Sequence, residues 1–137
     1  MNKLIKILTC LLTAVALFSC ADDDPIPMTW KFSNYDTEAV TVENSTAYQT
    51  FITAKMNYTG EITLKCTNCS VVSIPTDESI GTNAGFKVAK IDDATFKITL
   101  YPIELAEGES RGEFVSIDGI NGDDKYFSTI LISRHNQ

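Results

Sequence analysis

Two cysteines three residues apart, in Cys66-Thr-Asn-Cys69, are the sharpest chemical motif in the chain. Such a pair can hold zinc, exchange electrons as a thiol couple, or close on itself. Zinc would need two more ligands of similar quality, and the one histidine is His135, far away in the sequence. Redox exchange calls for a pair that opens a helix in a βαβ unit, where the thiol pKa is lowered. Here the pair ends an alternating apolar run and enters a turn. The expectation is a structural disulfide or two quiet thiols, and a tight turn at Thr67-Asn68 brings the Cα atoms within the roughly 7 Å that a disulfide needs. A second group, Asp118, Asn121, Asp123 and Asp124, offers oxygen ligands of the kind calcium takes. Its spacing does not follow the twelve-residue calcium loop, and Asn121-Gly122 reads more simply as a turn, so no metal is expected. Tyr35 and Tyr101, at strand ends or in loops, are the candidate rings for stacking on a ligand. Trp30 and Tyr58 fall on the apolar side of their strands and are expected in the core. With no glycine-rich phosphate cradle, nucleophile elbow or paired-histidine helix motif, no catalytic residue and no cofactor is expected, and the chain does not read as an enzyme.

What must position these residues begins with the amino terminus. Met1-Asn2-Lys3 and Lys6 make a basic head, residues 7–18 an almost wholly apolar run, and Leu17-Phe18-Ser19-Cys20 a close with a small residue before a cysteine. This is the pattern of a secretory signal, too short for the roughly 20 apolar residues of a membrane-spanning helix. It resembles the bacterial lipoprotein signal, which implies cleavage after Ser19 and acylation of Cys20. The acidic run Asp22-Asp23-Asp24 resembles the export signal of surface lipoproteins in Bacteroidetes-type bacteria. These resemblances imply a signal peptide over 1–19, an anchored cysteine and acidic, proline-bearing tether over 20–27, and an outer-membrane, cell-surface location. Diacylglyceryl and palmitate-like amide-linked chains together would hold the protein far more firmly than one chain does.

Cleavage there leaves 118 residues, enough for one domain, with 9 basic against 18 acidic residues. Binding to phosphate backbones runs on displacement of counterions by Lys and Arg, so an acidic chain of this kind excludes nucleic acid as a partner. The membrane is reached through the lipid anchor, and an exported chain meets an oxidising compartment.

From residue 28 to 134 the pattern is period two. Trp30 and Phe32 alternate with Lys31 and Ser33; Val40 and Val42 with Thr41 and Glu43. Ile52, Ala54, Met56 and Tyr58 precede a turn at Thr59-Gly60 and then Ile62, Leu64 and Cys66, so this pair reads as a hairpin with both apolar sets on one face. Residues 75–85 read as a loop. Phe86–Ile91 and Ala94–Tyr101 flank Asp92-Asp93 as a second hairpin. Phe114–Ile117 and Tyr126–Ser133 flank 118–124 as a third, and 135–137 reads as a frayed tail. Val71, Val72, Ile130, Leu131 and Ile132 are apolar on both faces, as central strands are. Eight or nine short strands without a helical period predict a single antiparallel β-sandwich, with a small closed barrel as the alternative.

Phe96-Lys-Ile-Thr-Leu100, Arg111-Gly-Glu-Phe-Val-Ser-Ile117 and Ser128-Thr-Ile-Leu-Ile132 resemble the closing strands of BACON-type immunoglobulin-like domains. The resemblance covers about the last 45 residues, implies an immunoglobulin-like sandwich in a bacterial surface protein, and carries no binding residue across. The functional expectation is a non-catalytic, lipid-anchored binding or accessory module whose partner is a glycan or another envelope protein. Alternatives are an assembly subunit that joins an envelope protein through a sheet edge, and a small envelope hydrolase or inhibitor.

Overall fold

Strict alternation buries every second side chain, and two sheets pressed together by those side chains are what the chain builds. The computed structural model describes residues 24–73 and 84–137. The signal, Cys20, Asp22 and Asp23, and nearly all of the expected loop at 75–85 lie outside the described residues. Ten strands are present among those described: β1 (Ile26–Pro27), β2 (Trp30–Ser33), β3 (Val40–Asn44), β4 (Gln49–Lys55), β5 (Gly60–Cys66), β6 (Ser70–Ser73), β7 (Phe86–Lys90), β8 (Thr95–Leu100), β9 (Ser110–Asn121) and β10 (Asp124–His135). The larger sheet runs β3-β4-β10-β9-β6, with β1 also on β10; the smaller runs β2-β5-β8-β7. The architecture is all-β in two sheets, and no strand pairing joins them into a closed barrel among the described residues.

Ile62 and Leu64 of β5 and Phe96, Ile98 and Leu100 of β8 meet Ile52 of β4, Val115 and Ile117 of β9, and Ile130 and Ile132 of β10, all fully or almost fully buried. Trp30 bridges the layers. Its ring meets Phe96 edge-on, with centroids 5.3 Å apart, and its Nε1–H donates to Ser128 Oγ of β10 at 3.0 Å. The polar end of the indole thus has a partner where it enters the core.

Several expectations need correction. β4 and β5 are not a hairpin. β4 pairs antiparallel with β3 and parallel with β10, whereas β5 pairs with β2 and β8. Residues 56–59 carry the chain from the larger sheet to the smaller, so the two apolar sets face one core from opposite sides; periodicity alone reads the same either way. The third hairpin is far longer than expected. β9 and β10 have twelve residues each and turn on Gly122-Asp123, with Gly122 at φ 62° as the first central position of such a turn requires. Residues 118–121 are therefore strand. β10 is central as expected, but β6 pairs only with β9 among the described residues. Ile26 and Pro27, expected in the tether, lie parallel to Tyr126 and Phe127. The end of the chain is not frayed either: the Asn136 main-chain N–H donates to the Glu109 carbonyl, and its side chain to the Leu105 carbonyl.

The last inward position of β10 is Arg134, wholly buried. Its Nη1 donates to the carbonyls of Ala84, Gly85 and Tyr101 (3.2, 3.3 and 2.6 Å), its Nη2 to those of Lys55, Met56 and Tyr58 (2.9, 3.0 and 2.9 Å), and its Nε to Lys55 again at 3.2 Å. Six main-chain oxygens thus accept from one side chain, and those of Lys55, Met56 and Gly85 also accept from the main-chain N–H groups of Tyr58, Ile103 and Tyr101. Arg134→Met removes the guanidinium donors and leaves the carbonyls of Ala84, Tyr58 and Tyr101 short of a partner, at a cost of about 3–5 kcal/mol. Arg134→Lys, with three donors at one point instead of a planar fork, should recover only part of this. Urea midpoints of the three proteins check the order wild type, lysine, methionine.

Candidate functional site

Cys66 closes β5 and Cys69 precedes β6, so the pair sits where the chain crosses back from the smaller sheet to the larger. The two Sγ atoms are 3.1 Å apart and both are thiols here. Asn68 holds the turn: its Oδ1 accepts from the Thr29 main-chain N–H at 3.1 Å and from the Cys66 thiol at 3.3 Å, while its Nδ2 donates to the Pro27 carbonyl at 3.0 Å. Gly119 of β9 leaves the space that Cys69 fills, since a Cβ there would stand 2.5 Å from its sulfur. Burial, and then the adjoining Cys66 thiol, push the Cys69 pKa up to about 12. That is the opposite of an activated thiol.

The proposed calcium ligands do not gather. Asp118 stands on the outward face of β9 opposite Phe127, Asn121 Nδ2 donates to the Asn68 carbonyl at 3.4 Å, and Asp123 and Asp124 lie exposed at the turn. No group of three His, Cys, Asp or Glu side chains fit to hold a metal occurs among the described residues. The candidate rings are also engaged. Tyr35 packs half-buried against the core, and Lys87 Nζ sits 5.3 Å from the Tyr101 ring centre.

A different place has the shape of a binding site. Odd-numbered residues of β4 and β10 and even-numbered residues of β9 face outward from the larger sheet. At the end of this face where β10 finishes is a cleft of about 440 Å³, lined among others by Glu38, Thr41, Thr53, Lys55, Asn57, Tyr58 and His135. His135 is held on both sides, paired with Lys55 on β4 and Ser110 on β9, and its carbonyl accepts the Met56 N–H at 2.8 Å. Its Nδ1 is buried without a hydrogen-bond partner. Two residues back along β4 from Thr53, a row of apolar side chains crosses the same face: Phe51, Leu131 and Phe114 are directly opposite one another on β4, β10 and β9. Phe114 is 63% exposed, unusual for a phenylalanine.

Sequence reasoning passed over this site. His135 looked like a chain end, because polar Ser128 and Arg134 take inward positions on β10 and blur the alternation that burial follows there. Phe51 and Phe114 lie on the face that the pattern assigned to polar residues, and that misfit was the available signal. No protein-family model, no curated protein and no solved structure matches the chain.

Because folding raises the Cys69 pKa, the native state favours the protonated thiol. Its contribution to stability is complete below the unfolded value near 9.0 and is lost as pH rises toward about 12. Urea midpoints of the reduced protein should fall across that range, and Cys69→Ala should flatten the part of the decline that belongs to this group.

Proposed function

We propose that the protein is a non-catalytic, lipid-anchored surface module that takes a hydroxyl-rich ligand of the glycan class on the outward face of its larger sheet. The observation that carries this reading is the pairing of a polar cleft with an apolar row, two of its three side chains phenylalanines, on one continuous surface. Sugars present hydroxyl edges and apolar ring faces. Thr41, Thr53, Asn57, Lys55 and His135 supply donors and acceptors for the edges, while Phe51 and Phe114 supply flat apolar surface. A largely pre-ordered sheet spends little conformational entropy on such contacts.

The anchor and the cleft favour the same reading. A chain leaving a membrane at Cys20 reaches the body at Pro25, whose carbonyl accepts the Tyr48 hydroxyl, and joins β10 at Tyr126 and Phe127. His135 ends the same strand eight residues beyond Phe127, about 26 Å away at the rise of an extended chain. On this reading the anchored segment joins the body at the end of β10 away from the cleft, which supports a cleft that faces away from the bilayer. An outer-membrane, cell-surface location and a BACON-like ancestry fit this arrangement. The assembly reading has β3 as its place, an edge strand paired only with β4 among the described residues.

The test is a glycan array with the chain from Asp24 onward, followed by titration of any retained sugar. Phe114→Ala and Lys55→Ala should each shift the melting temperature by no more than about 2 °C, both being surface positions. Each should weaken binding about five- to tenfold, the worth of one stacking or hydrogen-bonding contact. An array with no retained glycan, together with a stable protein partner lost on adding a proline at Val42, would replace this reading with edge-strand assembly. For the anchor, Cys20→Ser should abolish incorporation of a palmitate analogue and release the protein from the membrane fraction.

A further inference from the structure

We propose that Cys66, which is buried, and Cys69, which is half-buried, close a structural disulfide, formed by exchange in the unfolded chain and then protected by folding. The geometry is already that of partners. The sulfurs are 3.1 Å apart, Cys66 is 97% buried, and the turn between them is held by three hydrogen bonds of the Asn68 side chain. Gly119 leaves the room on the β9 side, with Met28 next to the same opening. Among the described residues nothing offers a metal a third ligand, so the pair has no competing use there.

The chemistry needs a disulfide as co-reactant, either small, such as glutathione disulfide, or carried by another protein. One thiolate of the pair attacks a sulfur of that disulfide, forms a mixed disulfide and expels one thiolate. The second thiolate then attacks the pair's own bridged sulfur and expels the other. Two protons pass to the two leaving thiolates, so a dithiol and a disulfide become a disulfide and two thiols. Attack requires a thiolate. Burial and the adjoining Cys66 thiol raise the Cys69 pKa from 9.0 to about 12, so its thiolate is scarcer in the folded chain than in the unfolded one. Oxidation that starts at Cys69 is therefore slower in the folded chain than in the unfolded one, and the burial of Cys66 and the packing of Gly119 against Cys69 restrict the approach of an outside disulfide or thiol. A redox catalyst needs the reverse, an exposed thiol of low pKa. The bond instead fixes the crossing from β5 of the smaller sheet to β6 of the larger. Its loop is short, so the gain in stability is modest.

The experiment uses the full-length chain and does not depend on the membrane anchor or on any ligand. Reduced protein is exposed to glutathione disulfide either folded or unfolded in urea and then refolded. Free thiols are blocked with maleimide after a second unfolding, and the segment carrying Cys66 and Cys69 is weighed. The refolded sample should have lost two hydrogens in that segment and carry no maleimide, whereas the folded sample should oxidise more slowly by about tenfold or more, part of the lost thiolate being offset by its higher nucleophilicity. The oxidised protein should melt a few degrees above the reduced one. In folded protein the bond should resist reduced glutathione. Maleimide on both cysteines after oxidative refolding would overturn the proposal, and equal rates in folded and unfolded chain would overturn the protection by folding. Cys66→Ser should trap Cys69 as a mixed disulfide in the unfolded sample, which identifies the attacking route even if that variant folds poorly.

Discussion

Where strands end, main-chain carbonyls lose their ladder partners, and inside a sandwich no water replaces them. At one end of this molecule three segments face that problem together: residues 55–58, which cross between the sheets, Ala84-Gly85 before β7, and Tyr101 after β8. The guanidinium of Arg134 reaches all three segments, adding to the main-chain bonds that the Lys55, Met56 and Gly85 carbonyls already accept. It arrives on the central strand of the larger sheet and offers five N–H groups in a plane to six oxygens. Burial disfavours its charge and lowers its pKa, yet arginine stays protonated, and the converging carbonyl dipoles offset the loss of water. Gly85 is part of the same device. Its φ of 66° turns its carbonyl toward the arginine, and a Cβ there would collide with Ile103.

Seen along β5, the crossings just before and just after it lie at opposite ends of one strand. The first is held by Arg134. The second, at Thr67-Asn68-Cys69, is held by the Asn68 side chain and, on the reading proposed above, by a covalent bond. In both places one side chain supplies what a departing main chain lacks. This explains how a sandwich with so small a body keeps its two layers in register: the hydrophobic core fixes the spacing, and the polar clamps fix where the chain changes sides.

β10 joins these structural features to the proposed binding face. It is parallel to β1 and β4 and antiparallel to β9, and its alternation sends neighbouring residues to opposite environments. Arg134 enters the core while His135, the next residue, lines the cleft. Leu131 stands between Phe51 and Phe114 on the outside while Ile130 and Ile132 are buried. One strand therefore carries the clamp inward and the binding surface outward, so the cleft rests on the most firmly held element of the sheet.

The all-strand character, the hairpin of β7 and β8, and the core set Ile52, Ile62, Leu64, Phe96, Ile98, Leu100 and Ile130 were legible in the residues alone, because a period of two is a property of the extended chain itself. The cysteine pair was legible for the same local reason, being three residues apart. What the tertiary structure decided was partnership. Whether β4 and β5 pair or face each other across the core, whether β10 runs on through His135, and whether Phe51 and Phe114 share a row depend on contacts between residues far apart in sequence. Arg134 shows the reason most clearly: its type is plain in the sequence, but its role exists only where three distant segments bring their carbonyls together.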